Sequence, residues 1–299
     1  MLVLWDSTYP TRLWTVFELA AFLKSHGDES HLLIRPTILG PTALAVFVCC
    51  GLLFHVSRIV IVVSEERGAQ HSLQQISMSF VISVVLMHLL RVHFERVEAA
   101  LLQLKGFTLA DTTTQCCTSD HRDVSGNRIR CDREILLECM RTWFGSGEEF
   151  ERCVRSQVSS AFGKALGRHA FPFKWFIAIA SCVAWGFADI ALSALRAQEF
   201  YYFRVYSLDI FAMPFALGAL LYVESLYLGY KLRQRRQGVM NYLLSIFSGL
   251  VVVASFVLPR MLQRVLMAAF QDILVARVVW TMIMAMAAIL ALRMLSLMR

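Results

Sequence analysis

Long apolar runs alternate with short polar connections along this chain, and one polar stretch of about 80 residues interrupts the alternation. The runs fall at about Leu39–Val63, Leu73–Leu90, Phe173–Leu195, Val205–Tyr230, Val239–Leu258 and within Ile273–Leu297. A bilayer crossing by a helix needs about 20 residues at 1.5 Å each, so each run can form one span, with the serine-rich second the shortest. The pattern therefore predicts an all-α integral membrane protein with about six transmembrane helices, two before the polar insert and four after it.

Between Arg91 and Pro172 the periodicity changes from continuous to amphipathic. Ile135, Leu136, Cys139, Met140, Trp143 and Phe144 share one helical face after Asp132, a candidate cap, and Gly145 can end that helix. Ser146-Gly-Glu-Glu149 matches a capping box, and Phe150, Val154, Val158, Phe162 and Leu166 then repeat at a spacing of about four. The expectation is a helical hairpin over 132–166 in a cytoplasmic insert. Its apolar face would dock on the membrane segments, on a second copy or on another protein. At the start of the chain, Leu2–Trp5 suits a short strand. Arg12–Lys24 suits a helix lying on the membrane surface, with Leu13, Trp14, Val16, Phe17, Ala20 and Leu23 on one side. The boundaries expected are 1–36, 37–90, 91–172 and 173–299.

Composition agrees with the pattern. Hydrophobic residues make up 57% of the 299 and charged residues 17%, against about a quarter charged in an ordinary soluble domain. No basic region precedes an apolar core at Met1–Asp6, so no cleaved signal peptide is expected. The net charge of +7 does not point to nucleic acid, because the insert carries 12 Lys/Arg against 11 Asp/Glu. The excess lies at the ends of apolar runs, most densely at Lys231–Arg236, and places that connection, the insert and both termini in the cytoplasm. The lipid bilayer is thus the one partner the composition implies.

Two resemblances add to this. Ser7-Thr-Tyr9-Pro-Thr-Arg12-Leu-Trp14-Thr-Val-Phe-Glu18-Leu19 resembles the strand-loop-helix segment of TIR domains, in whose NAD-cleaving members the matching glutamate is catalytic. That resemblance implies a role for Glu18; the periodicity alone makes it a solvated residue on an amphipathic helix. Thr11–Phe22, together with Cys131-Asp-Arg-Glu-Ile and Arg141–Phe150, is similar to a large group of multi-pass membrane proteins from unicellular algae of the dinoflagellate kind. This second resemblance implies a membrane location and no activity.

Candidate chemistry is sparse. Cys116, Cys117, His121 and Cys131 are metal-ligand types, though adjacent cysteines differ from the paired knuckles of common zinc sites, and free thiols or a disulfide are the alternatives. Charged groups within spans are the other candidates: Asp189, Asp209 and Glu224 for an ion or proton site, and Arg58 and Arg277 as ion-pair partners. In the expected topology Asp189, Asp209, Arg58 and Arg277 share the outer third of the bilayer, where mutual pairing would satisfy them. Glu224 could reach Lys231 or Arg233. Ala180, Ala184, Ala188 and Ala191 form a small-residue stripe that would turn neighbouring Asp189 towards other helices. Pro214 can kink its span. His55 and His88 read as packing residues. No phosphate-binding glycine loop, His-Glu-x-x-His or nucleophile elbow occurs. The function expected is a non-enzymatic membrane interaction or signalling component without a cofactor. An ion channel or transporter is the alternative, and a TIR-like NAD-cleaving enzyme a weaker one.

Overall fold

The computed structural model describes residues 1–26, 32–49, 51–52, 69–122, 125–166, 173–234 and 238–297. In chain order the elements are β1 (Leu2–Trp5), α1 (Leu13–His26), β2 (Leu33–Pro36), α2 (Leu39–Cys49), α3 (Ala69–Lys105) and α4 (Gln115–Thr118). There follow α5 (Asp132–Phe144), α6 (Gly147–Cys153), α7 (Ser159–Leu166), α8 (Phe173–Arg196), α9 (Phe200–Phe211), α10 (Gly218–Lys231), α11 (Val239–Ala269) and α12 (Ile273–Leu297). Among the described residues, five helical stretches are long and apolar enough to cross a bilayer: Ile76–Lys105, Phe173–Arg196, Phe200–Lys231, Val239–Ala269 and Ile273–Met294. This is an all-α membrane protein with one small sheet. The expected first span, about Leu39–Val63, lies partly outside the described residues; α2 is its described start.

The chain forms two compact units. One comprises Met1–Gly40 and Arg96–Ala170, the other Pro41–Glu95 and Phe171–Arg299, so the division falls within α3.

The first unit is built on a pair of parallel strands. Leu2 pairs with Leu33 and Trp5 with Pro36, and parallel pairing demands a crossover, which α1 supplies. Period-two alternation turns Val3, Trp5 and Ile34 inward. The inner face of α1, Leu13, Val16, Leu19, Ala20 and Leu23, joins the same core. Most of the apolar side of α1 expected at the membrane surface is therefore covered by protein, with Trp14 left exposed, and Phe17 stacks on Trp143 of α5 at 5.0 Å. The hairpin forms as the spacing predicts. Gly145 ends α5 at φ +87°, and the Ser146 hydroxyl accepts from the Glu149 N–H at 3.1 Å. Two details differ: Cys131, not Asp132, holds the cap position of α5, and Glu149 pairs forward with Arg152 rather than reaching back. Leu136, Met140, Phe150, Val154, Val158 and Phe162 fill the core shared with the strands, with Phe162 edge-on to Trp5 at 6.0 Å. The face expected to bind the membrane segments or another copy is occupied by the chain's own first 40 residues. A wide π turn at Val154–Val158 links α6 to α7.

The second unit is a helical bundle whose outward side chains are large and apolar, among them Trp185, Phe211, Leu250 and Met282. Apolar exposure on that scale suits lipid rather than water. Three spans differ from the sequence expectation. α3 does not stop at Leu90, because Arg91 and His93 are buried in the bundle rather than opening a polar insert. α11 continues through Pro259 to Ala269 instead of ending at Leu258. Pro214 sits in a π segment, Ala212–Leu217, that joins α9 to α10 in one continuous span. A proline lacks the N–H that helix bonding requires, and a widened turn absorbs the missing bond. Close approaches are made at glycines: a Cβ on Gly249 would lie 2.7 Å from Val84 Cγ2.

Candidate functional site

In the first unit, a polar loop carries the four sulfur and nitrogen candidates. The segment after α3 is held to the hairpin by side chains. Arg155 Nε donates to the Phe107 carbonyl at 2.8 Å, Glu151 accepts from the Leu109 N–H at 2.8 Å, and Arg133 donates to the carbonyls of Leu109, at 3.0 Å, and Thr112. Thr113 is tied to the N-terminal segment through its N–H to Thr11 O, 2.7 Å, and its carbonyl to Leu13 N–H, 2.9 Å. Arg133 lies in the first turn of α5, so these bonds draw Cys131 towards α4 and its Cys116 and Cys117.

The chain between them turns sharply. Asp120 and His121 adopt left-handed φ of 52° and 55°, His121 N–H returns to Cys116 O at 2.8 Å, and Ile129 N–H bonds His121 O at 2.8 Å. The outcome is convergence: ligand atoms of Cys116, Cys117, His121 and Cys131 all lie within 4.8 Å of one another. Cys117 Sγ is 3.8 Å from His121 Nε2 and 3.9 Å from Cys131 Sγ. Thr114 Oγ1 lies 3.0 Å from Cys116 Sγ and 3.1 Å from Cys117 Sγ. Burial raises the Cys116 thiol, but the Thr114 hydroxyl and the N–H groups of Asp132 and Arg133 outweigh it and hold the pKa below its ordinary value. For Cys117 the Thr114 hydroxyl lowers the pKa. Burial, hydrogen bonds with Cys131 and Cys116, and the charge of Cys116 carry it net upward.

Near the N-terminus, Glu18 is exposed on α1. Its charge acts on Tyr9, whose pKa is pushed up to about 12, first by burial and then by Glu18, with Arg12 opposing. Arg12 sits over the Tyr9 ring at 5.9 Å and reaches Asp6 at 3.8 Å.

In the second unit the charged candidates separate. Asp209 is buried and paired with Arg277 at 2.5 Å, with the charge of Arg260 also acting on it. Asp189 lies exposed on α8 instead of turning inward, while Ala180 and Ala191 of its neighbouring stripe are buried. Glu224 does not reach for Lys231 or Arg233. It accepts from the Ser255 hydroxyl on α11 at 2.7 Å, while Lys231 lies over Tyr227 and Arg233 over Tyr230. Arg58 and His55 lie outside the described residues. His88 stacks on Tyr242 and bonds Ser245.

One residue escaped the sequence reading. Arg91 donates from Nε to Leu232 O at 2.7 Å, from Nη1 to Asn241 O at 2.6 Å and Ser245 Oγ at 2.7 Å, and from Nη2 to Asn241 Oδ1 at 2.8 Å. An arginine within an apolar helix was the available signal, but its position read as the edge of the insert.

No protein-family model, curated protein or solved structure matches this chain.

Proposed function

We propose that this protein is a multi-pass membrane component that presents a folded polar unit for interaction or signalling and does not itself catalyse or transport. One observation carries the reading: the polar unit has its own core, with Val3, Trp5, Leu19, Ile34, Met140, Phe150 and Phe162 buried together. Two chain segments that share a core lie on one side of the bilayer, so the chain between Pro41 and Glu95 crosses it an even number of times. The pairing of Asp209 with Arg277 and the bond from Ser255 to Glu224 give these acids structural roles. Reconstituted in liposomes, the protein is expected to pass neither protons nor alkali cations. A flux abolished by Asp209→Asn would replace this reading.

That alternative, a channel or transporter, has one observation in its favour. Asp209 and Glu224 flank the π segment around Pro214, and such widened turns occur often at functional sites.

The TIR-like reading is favoured by a different observation. Parallel strands joined through α1 form the strand-crossover-strand unit that such domains repeat, and Glu18 stands beside Tyr9. Incubating the purified protein with NAD tests it. Nicotinamide release that Glu18→Ala abolishes would support this alternative, and no release would remove it.

A further inference from the structure

We propose that Cys116, Cys117, His121 and Cys131 bind one Zn²⁺ ion in a four-coordinate structural site that fastens the loop after α4 to the start of α5. The argument begins with distance. Zinc binds thiolate sulfur at about 2.3 Å and imidazole nitrogen at about 2.0–2.1 Å, which puts tetrahedral sulfur ligands about 3.8 Å apart and sulfur–nitrogen pairs slightly closer. Cys117 Sγ lies 3.9 Å from Cys131 Sγ and 3.8 Å from His121 Nε2, and the whole set falls within 4.8 Å. A small contraction closes the shell.

The ligand types are those that zinc prefers. Four protein donors also leave no open position for a substrate, which makes the site structural and not catalytic. The Thr114 hydroxyl contacts two of the three sulfurs, at 3.0 Å from Cys116 Sγ and 3.1 Å from Cys117 Sγ. Hydrogen bonds of this kind orient metal ligands and strengthen their hold on the ion. Zinc displaces the thiol protons as it binds, and the dication offsets the repulsion that three thiolates within 4.8 Å of each other would otherwise feel. A Cys117–Cys131 disulfide is the rival chemistry. It would use two of the three sulfurs and leave the inward placement of Cys116 and His121 without a purpose.

The sequence spacing also makes sense in the fold. Adjacent Cys116 and Cys117 cannot form a conventional two-residue knuckle, but α4 and the left-handed pair Asp120–His121 bring the histidine back over them. The long return to Cys131 is spanned by a turn in which Arg122 bridges to Arg128.

The test uses the full-length protein, purified in detergent without chelator from zinc-supplemented cells. Elemental analysis is expected to give about one zinc per chain. Cys117→Ser and Cys131→Ser should each lower that content at least about tenfold, and Cys182→Ser, on exposed α8, should leave it unchanged. Should the ligand variants fail to fold, the wild-type protein decides. After a chelator strips it, added Co²⁺ should give the intense visible absorption of tetrahedral cobalt with sulfur-to-metal charge transfer. Alkylation of Cys116, Cys117 and Cys131 should be blocked until the chelator is added. Wild-type protein that takes up neither metal, an intact Cys117–Cys131 disulfide, or zinc retained by both ligand variants would each overturn the proposal.

Discussion

Arg91 and Asn241, 150 residues apart, are joined twice: one guanidinium nitrogen bonds the Asn241 carbonyl at 2.6 Å and another its side-chain oxygen at 2.8 Å. With Leu232 O and Ser245 Oγ as further acceptors, α3 is clamped at once to the end of α10 and the first turns of α11. A buried arginine is tolerable only when its donors are satisfied in this way.

Replacing Arg91 therefore should cost more than an ordinary surface change. Arg91→Met leaves several acceptors unsatisfied, and Arg91→Lys cannot reproduce the planar fork. Both are expected to destabilise the protein by about 2–4 kcal/mol. Thermal unfolding in detergent measures this, and an unchanged midpoint would contradict it.

Asp209 and Arg277 make a second buried pair. Removing one partner strands the other charge, so Asp209→Ala is expected to destabilise by about 3–5 kcal/mol. The double variant Asp209→Ala with Arg277→Met should recover much of that loss. A double-mutant cycle on unfolding midpoints measures the coupling; additive losses would mean that the two side chains do not interact.

Gly249 lies where α11 meets α3, with Val84 Cα and N each 3.0 Å from a would-be Cβ. Backbone cannot yield as a flexible side chain can, so Gly249→Ala should destabilise by about 1–3 kcal/mol. Gly163→Ala in α7, where a Cβ meets nothing within 4 Å, should be neutral or stabilising by up to about 1 kcal/mol. The comparison of the two midpoints is the check.

Tyr9 gives a pH dependence with a defined sign. Burial, and then Glu18, hold its pKa up to about 12, above the ordinary value of 10. The folded state thus keeps the proton longer than the unfolded state. Its contribution is fully present below pH 10 and is lost as pH rises from 10 through 12, by about 2–3 kcal/mol at most. Unfolding midpoints followed from pH 9 to 12 should fall less steeply in Tyr9→Phe than in the wild type.

Much of this architecture was legible in the order of residues, and the failures share one cause. The hairpin helices, the turn at Gly145 and the Ser146 cap depend on neighbours within a few positions, and they form where the pattern places them. The apolar runs announce the membrane bundle because a continuous apolar stretch of about 20 residues is a strong signal. What could not be read was pairing at a distance. Strand β2 is four residues long and gains its identity only from β1, 31 positions earlier in register. The union of the first 40 residues with 96–170 depends on contacts such as Trp5 with Phe162. Arg91 looked like the edge of a polar insert because its acceptors lie about 150 residues away. The Cys116, Cys117, His121 and Cys131 cluster shows the same limit, since its spacing becomes a convergence of ligand atoms only once α4 and the turn at His121 are folded.

The central claim is that the N-terminal segment and the insert form a single polar unit and so share one side of the bilayer. It is tested most directly by sidedness. One epitope is placed before Met1 and another in the exposed turn at Ser125–Asn127, and antibody access is compared in intact and permeabilised cells. The account predicts that the two epitopes always share one behaviour, both reached in intact cells or both only after permeabilisation. Epitopes on opposite sides would contradict it, because strands β1 and β2, α1 and the hairpin could not then share a core.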